Sequence, residues 1–164
     1  MNSLGTGMNF PGEFYQFGVV TDDLERTIAE YSALGATAWK RMATRYQGRC
    51  RDWTGEIANR NAFARWQGKM LELVEPGQGQ STAREWLDSR GPGLFHLGFI
   101  CDDMSVRPLG ADICFESFGK LTARGGPAVI HFDTLASLGY FIEVSDRPLA
   151  VELIRWMDEP ASPD

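Results

Sequence analysis

Between Glu13 and Val20 the chain alternates with the period of a strand, Phe14, Gln16, Gly18 and Val20 falling on one face and Tyr15, Phe17 and Val19 on the other. The period then changes. Leu24, Ile28, Tyr31 and Leu34 form a helical stripe, opened by Asp22 with Glu25 three places on, a capping-box spacing, and stopped by Gly35. Strand-like runs follow from Thr37 to about Arg45, over Asn59–Trp66 and over Lys69–Glu75, with an Arg/Gly-rich loop after the first run and the turn Gln67-Gly68 after the second. Residues 13–76 therefore predict a βαβββ module. Residues 77–93 read as a linker with a short helix, opened by Thr82 with Glu85 and broken by Gly91-Pro92-Gly93.

The same pattern then returns. Tyr15-Gln16-Phe17-Gly18-Val19-Val20-Thr21-Asp22-Asp23-Leu24 aligns with Phe95-His96-Leu97-Gly98-Phe99-Ile100-Cys101-Asp102-Asp103-Met104. Lys69–Glu75 likewise aligns with Tyr140–Asp146, setting Glu72 upon Glu143. Gln16 to Glu72 is 56 residues and His96 to Glu143 is 47. The difference matches a clipped second helix, because Pro108 and Gly110 arrive where that helix should run. Residues 94–147 predict a second module, with strands over Leu94–Cys101, Ile113–Phe118, Ala128–Phe132 and Tyr140–Val144 and a turn at Arg124-Gly125-Gly126-Pro127. Residues 1–12 read as a loose arm, and 148–164 as an amphipathic helix (about Leu149–Met157) with a disordered tail. An internal repeat with one explicable deletion outweighs any single motif.

Composition narrows the function classes. The 164 residues suffice for one cored domain or two fused modules, and 43% apolar with 23% charged residues is ordinary for a soluble globular protein. A net charge of −6 argues against a nucleic-acid or anionic-membrane partner, and no apolar run is long enough to span a membrane. The N-terminus lacks the marks of a signal peptide, and Cys50, Cys101 and Cys114, without CxxC spacing, read as reduced cysteines of a cytoplasmic protein.

Chemistry concentrates at the repeat-related positions. Gln16 and His96, an amide and an imidazole in equivalent strands, are both of ligand type, as are Glu72 and Glu143. Two βαβββ units with one such residue in each first strand and a Glu in each last strand resemble the vicinal-oxygen-chelate superfamily, which includes glyoxalase I, methylmalonyl-CoA epimerase, extradiol dioxygenases and bleomycin-resistance proteins. The run Leu71-Glu72-Leu73-Val74-Glu75-Pro76, followed by Ser81-Thr82, Trp86-Leu87 and Gly93–Phe99, is similar to the epimerase-like and glyoxalase-like branch. The resemblance implies an α+β fold in which two tandem βαβββ modules form a cupped mixed sheet around one divalent ion. It implies the ligand set Gln16, Glu72, His96 and Glu143, with Glu143 as catalytic base and Glu72 as its counterpart across the substrate. Gln in place of the epimerase His at position 16, and Phe95 in place of a second His, point towards glyoxalase I.

One amide oxygen, two carboxylates and one imidazole balance a divalent charge and suit Zn, Ni, Co, Mn or Mg. The extra Glu and the Gln count against the two-His, one-Glu iron site of extradiol dioxygenases. The expected function is a metal-dependent lyase or isomerase of glyoxalase type. It would abstract a proton beside a metal-chelated carbonyl by way of an enediolate or enolate. The alternatives are an acyl-CoA epimerase of the methylmalonyl-CoA type and a non-catalytic small-ligand binder of the bleomycin-resistance type. The substrate would be a small carbonyl compound or thioester. The resemblance also implies a homodimer, with one site inside a chain or two composite sites between chains.

His131, Glu56, Arg41 and Arg45 are candidate substrate contacts. Lys40, Arg41, Arg45, Arg49 and Arg51 form a basic stretch that would suit a carboxylate or a phosphate, though a solvated face is the plainer reading. Phe14, Trp39, Phe63, Trp66, Phe118 and Phe132 are candidates for an apolar pocket or for core.

Overall fold

A computed structural model describes residues 9–119 and 126–160. The first module consists of β1 (Glu13–Val20), α1 (Leu24–Ala33), β2 (Thr37–Cys50), β3 (Trp53–Trp66) and β4 (Lys69–Pro76). After α2 (Thr82–Arg90) comes the second, with β5 (Gly93–Cys101), β6 (Ile113–Phe118), β7 (Val129–Phe132), the one-turn α3 (Leu135–Leu138) and β8 (Phe141–Asp146), and the chain then enters α4 (Arg147–Asp158). A single 3-10 turn, Pro108–Gly110, stands where α1 has its counterpart. The expected loss of the second helix is therefore seen.

The eight strands close into a barrel in the order β1-β4-β3-β2-β6-β7-β8-β5. Each module is a four-stranded sheet with one parallel pair, β1 with β4 and β5 with β8. Antiparallel seams join the modules, β1 to β5 along most of their length and β2 to β6 over Gln47–Cys50. That second seam corrects the expectation of an Arg/Gly-rich loop after Arg45. Gly48 pairs with Gly55, and β2 and β3 run on as one hairpin to a turn at Arg51, which has φ of 52°. The extension supplies the edge that turns an open cup into a closed barrel.

The outer face of the first module carries α1, whose Leu24 and Ile28 pack with Val19, Ala62, Leu71 and Leu73. Without a second helix, the matching face around Ile130, Phe132, Ile142 and Val144 is covered by Phe10, Phe99 and the segment holding Met104, Val106 and Ala111. Phe10 packs edge-on against Phe99 at 5.2 Å, so this end of the expected loose arm is docked. Residues 1–8, the C-terminal tail from 161, and Arg124 and Gly125 of the expected turn lie outside the described residues. Trp86 of α2 packs with Val20, Val74, Phe95 and Phe141 at one end of the barrel, and Ala150 and Met157 of α4 pack with Tyr15, Phe63 and Met70 at the other.

Both helix starts lie one residue from their expected positions. Asp23, not Asp22, caps α1 by accepting from the Arg26 N–H at 3.0 Å, while Asp22 pairs with the Arg26 guanidinium. Ser81, not Thr82, caps α2 by accepting from the Arg84 N–H at 3.1 Å. In each case the neighbour was an equally competent cap, and the side chain displaced from that role does something else.

Candidate metal centre

Register places the site. In the parallel pairs Gly18 lies beside Glu72 and Gly98 beside Glu143, while across the β1–β5 seam Gln16 faces Gly98 and Gly18 faces His96. Phe17 opposite Leu97 is the centre of an approximate two-fold axis, and each polar residue of one module faces the glycine of the other. The pairing requires those glycines. A Cβ on Gly18 would lie 2.1 Å from His96 Cε1, and one on Gly98 would lie 3.1 Å from Gln16 Cβ and 3.3 Å from Glu143 Oε1.

Two β-bulges obey the same symmetry. Pairing skips Tyr15 in β1 and Phe95 in β5, equivalent residues that immediately precede Gln16 and His96. An extra residue reverses the alternation locally, so Tyr15 enters the barrel beside Gln16 while Phe14 goes outside to meet Phe17 and Phe99. The expected face containing Phe14, Gln16, Gly18 and Val20 is corrected at its first member.

Gln16, Glu72, His96 and Glu143 converge inside one chain on a cavity of about 420 Å³. Gln16 and His96 are 1% exposed and Glu143 6%. The Gln16 Oε1 lies 3.0 Å from His96 Nε2, and turning the amide over brings its nitrogen to 3.0 Å from Glu72 Oε2, His96 Nε2 and Glu143 Oε1. His96 Nε2 is 3.3 Å from Glu143 Oε2 and 3.8 Å from Glu72 Oε2. Adjacent ligands of an ion with bonds of about 2.1 Å stand roughly 3 Å apart, so these separations fit a divalent cation. With its oxygen inward, Gln16 joins two carboxylates in facing one point, an arrangement that favours a cation there. With its amide inward, its two N–H groups can donate to two of these three neighbours at a time when no ion is bound. The residues fit the group that the sequence implied.

Each carboxylate has its own support. Asn61 donates to Glu72 Oε1 at 2.9 Å, and Thr44 in turn donates to Asn61 at 3.0 Å. Glu143 accepts from Ser145 Oγ at 3.3 Å, with the Tyr15 hydroxyl 2.7 Å behind it, and from His131 Nε2 at 2.8 Å. The two carboxyl groups are driven apart. Burial, then the neighbouring Glu143 charge, raises Glu72 well above the usual carboxylate range. Burial would raise Glu143 too, but the His96 charge and the hydrogen bond and charge of His131 outweigh it and hold Glu143 low. Burial depresses His96 to about 4. His96 is thus neutral at pH 7, and the hydrogen bonds from His131 and Ser145 continue to favour an ionised Glu143.

The other candidates separate. His131, 4% exposed, faces the cavity as expected and also touches Glu143. Arg41 pairs with Glu25 on the surface, and Arg45, at the cavity wall, pairs with Glu56. Arg49 pairs with Glu116, Arg51 with Glu85 and Asp133, and Lys40 donates to the carbonyls of Trp156 and Glu159. The basic stretch is a solvated, ion-paired face. Of the six aromatics singled out, Phe63 lines the cavity. Trp39 and Trp66 pack on the cluster under α1, Phe132 is in the outer core of the second module, and Phe118 is exposed. Tyr15, Tyr46, Phe95 and Phe115 line the cavity instead. Asn59 and Asn61 had a readable signal, two amides on the inward period of β3 between Ile57 and Phe63. Thr82 was hidden by its resemblance to a cap and Tyr15 by the bulge.

A family model described as the Glyoxalase/Bleomycin resistance protein/Dioxygenase superfamily matches residues 15–107. No curated protein matches the sequence significantly. Among solved structures, a hypothetical protein from Bacillus halodurans C-125 is similar at a TM-score of 0.54 and 16% identity, covering 94% of this chain and 100% of that one. The methylmalonyl-CoA epimerase of Mycobacterium tuberculosis is similar at 0.53 and 20% identity, covering 88% and 97%. A Streptomyces coelicolor methylmalonyl-CoA epimerase variant in complex with 2-nitronate-propionyl-CoA is similar at 0.51 and 19% identity, covering 82% and 96%. At these identities the likeness is one of fold.

Proposed function

Because the chain belongs to the glyoxalase/bleomycin resistance protein/dioxygenase superfamily, we propose that it is a divalent-metal-dependent lyase or isomerase of glyoxalase type that moves a proton beside a carbonyl group. The observation that carries this reading is the pair of carboxylates, one from each module, that converge with Gln16 and His96 on one point at ligand-edge separations. Gln16, Glu72, His96 and Glu143 would hold the ion. When bound, such an ion polarises a chelated carbonyl and makes the neighbouring C–H acidic.

The chain's own groups do the proton work. Glu143 takes the proton as the base, and Glu72, from the opposite module, is its counterpart on the other side of the substrate. Asn61 and Ser145 orient the two carboxylates, and Phe95 and Phe115 exclude water from one side of the cavity. An acyl-CoA epimerase needs the same two-carboxylate relay. It is the second reading, favoured by the fold likeness to methylmalonyl-CoA epimerases.

Elemental analysis of the purified full chain, followed by NMR of deuterium uptake from D2O, tests the proposal. Stoichiometric divalent metal and exchange into the methylglyoxal–glutathione adduct are expected, whereas exchange into an acyl-CoA ester alone would select the epimerase. Tight binding of a small ligand without metal or exchange would overturn both in favour of a non-catalytic binder.

A further inference from the structure

Building on the metal-dependent reading above, we infer that His131 is a direct ligand of the ion and that Thr82 is the hydrogen-bond partner that orients it. Three donor atoms, one each from His96, His131 and Glu143, lie within 4.8 Å of one another. Opposite ligands of an ion with bonds of about 2.1 Å stand roughly 4.2 Å apart. His131 Nε2 is 2.8 Å and His96 Nε2 is 3.3 Å from the same Glu143 Oε2. One carboxylate oxygen thus neighbours both imidazoles at ligand-edge distance.

The outer partners separate the two rings. A ligating imidazole nearly always gives its second N–H to an oxygen, which fixes both tautomer and ring plane. His131 Nδ1 is 2.6 Å from Thr82 Oγ1, with both residues buried. His96 Nδ1 is buried without a hydrogen-bond partner among the described residues. Its ring is held by contact with Gly18 rather than by an acceptor. His131 therefore has the support expected of a metal ligand, and His96 has only the position.

Local structure explains the arrangement. His131 on β7 pairs directly with Glu143 on β8, so the strand register alone sets the two side by side. Ser81 caps α2, which frees the Thr82 hydroxyl at the first helical position to reach into the barrel. In the ion-free protein a His131 Nε2–H donates to Glu143. There Nδ1 accepts from the Thr82 hydroxyl; ligation exchanges the tautomer, Nε2 losing its proton to solvent as Nδ1 gains one, so that Nδ1–H then donates to Thr82 with no net change in protons. Two imidazoles beside carboxylates and an amide favour borderline transition ions over magnesium.

Proton NMR of the full chain loaded with Co(II) tests this, because His96 and His131 are its only two histidines. Two hyperfine-shifted, solvent-exchangeable imidazole N–H resonances are expected in the wild type and one in His131→Gln. Thr82→Val should lose one resonance to solvent exchange and weaken Co(II) binding roughly tenfold, and Thr82→Ser should restore both. Bound Co(II) with a single resonance in the wild type would overturn the inference, as would a Thr82→Val spectrum and affinity equal to wild type. Failure of the wild type to bind Co(II), Zn(II) or Ni(II) at all would instead remove the metal-dependent reading, and this inference with it.

Discussion

Gly18 and Gly98 are equivalent by symmetry, yet a side chain would meet different resistance at each. A methyl at residue 18 would overlap the imidazole of His96, whose nearest ring atom is 2.1 Å away, whereas at residue 98 its neighbours stand at 3.1–3.3 Å. Gly18→Ala should therefore abolish metal binding or weaken it by roughly a hundredfold, and Gly98→Ala by only a fewfold, as read by calorimetric titration. Gln16→Ala and His96→Ala should each weaken binding in the same assay, and full affinity in either variant would remove that residue from the site. Chemistry of another kind sits in the thiols. Burial, then Glu85, pushes Cys50 up to about 12, and burial, then Asp133, does the same to Cys114. Both stay protonated at pH 8, so alkylation by iodoacetamide should be slow in the folded protein and fast in denaturant. At this scale the convergence of Gln16, Glu72, His96 and Glu143 was legible, because the repeat marks them as equivalents. Thr82, Asn61 and Tyr15 were not, because what they do depends on a neighbour strand or helix that no local pattern reveals.

Elements were legible in type and less so in extent. The helical stripe of α1, the strand period of β1 and the Pro/Gly interruption that deletes the second helix are local signals, and the structure follows them. The β2–β3 hairpin runs further than its polar sequence suggests, because its outer part is stabilised by pairing with β6, a partner 65–71 residues away in sequence. The bulges are similarly non-local, since a skipped residue is defined only by the opposite strand. Helix α2 connects this scale to the site, its cap Ser81 standing one residue before the Thr82 that holds His131. Ser81→Ala should cost about 1 kcal/mol of stability through the uncapped Arg84 N–H. Thermal melts check it, and Ser81→Asp, which restores an acceptor, should recover most of the loss.

For the molecule as a whole, a buried cluster of two carboxylates and two imidazoles costs stability unless something offsets it. An ion at a hundred times its dissociation constant adds about 2.7 kcal/mol, on the order of 5–10 °C in melting temperature for a chain of this size. Removing metal with a chelator should lower the melting midpoint by that amount, and the shift should shrink in Glu143→Gln. The closed barrel was only half legible, since the repeat predicts two sheets while the seam between β2 and β6 depends on the hairpin's true length. The β1–β5 seam has a further consequence. Each module brings part of the donor set, and the segment between Pro76 and Gly93 ties the two parts together, with Trp86 packed on Phe141 to fix its path. The two half-sites therefore meet at an effective concentration set by a tether, in the millimolar range for short connections, rather than by the amount of protein present. Metal affinity should accordingly be the same at nanomolar and micromolar chain concentration, with no dilution threshold below which the centre comes apart.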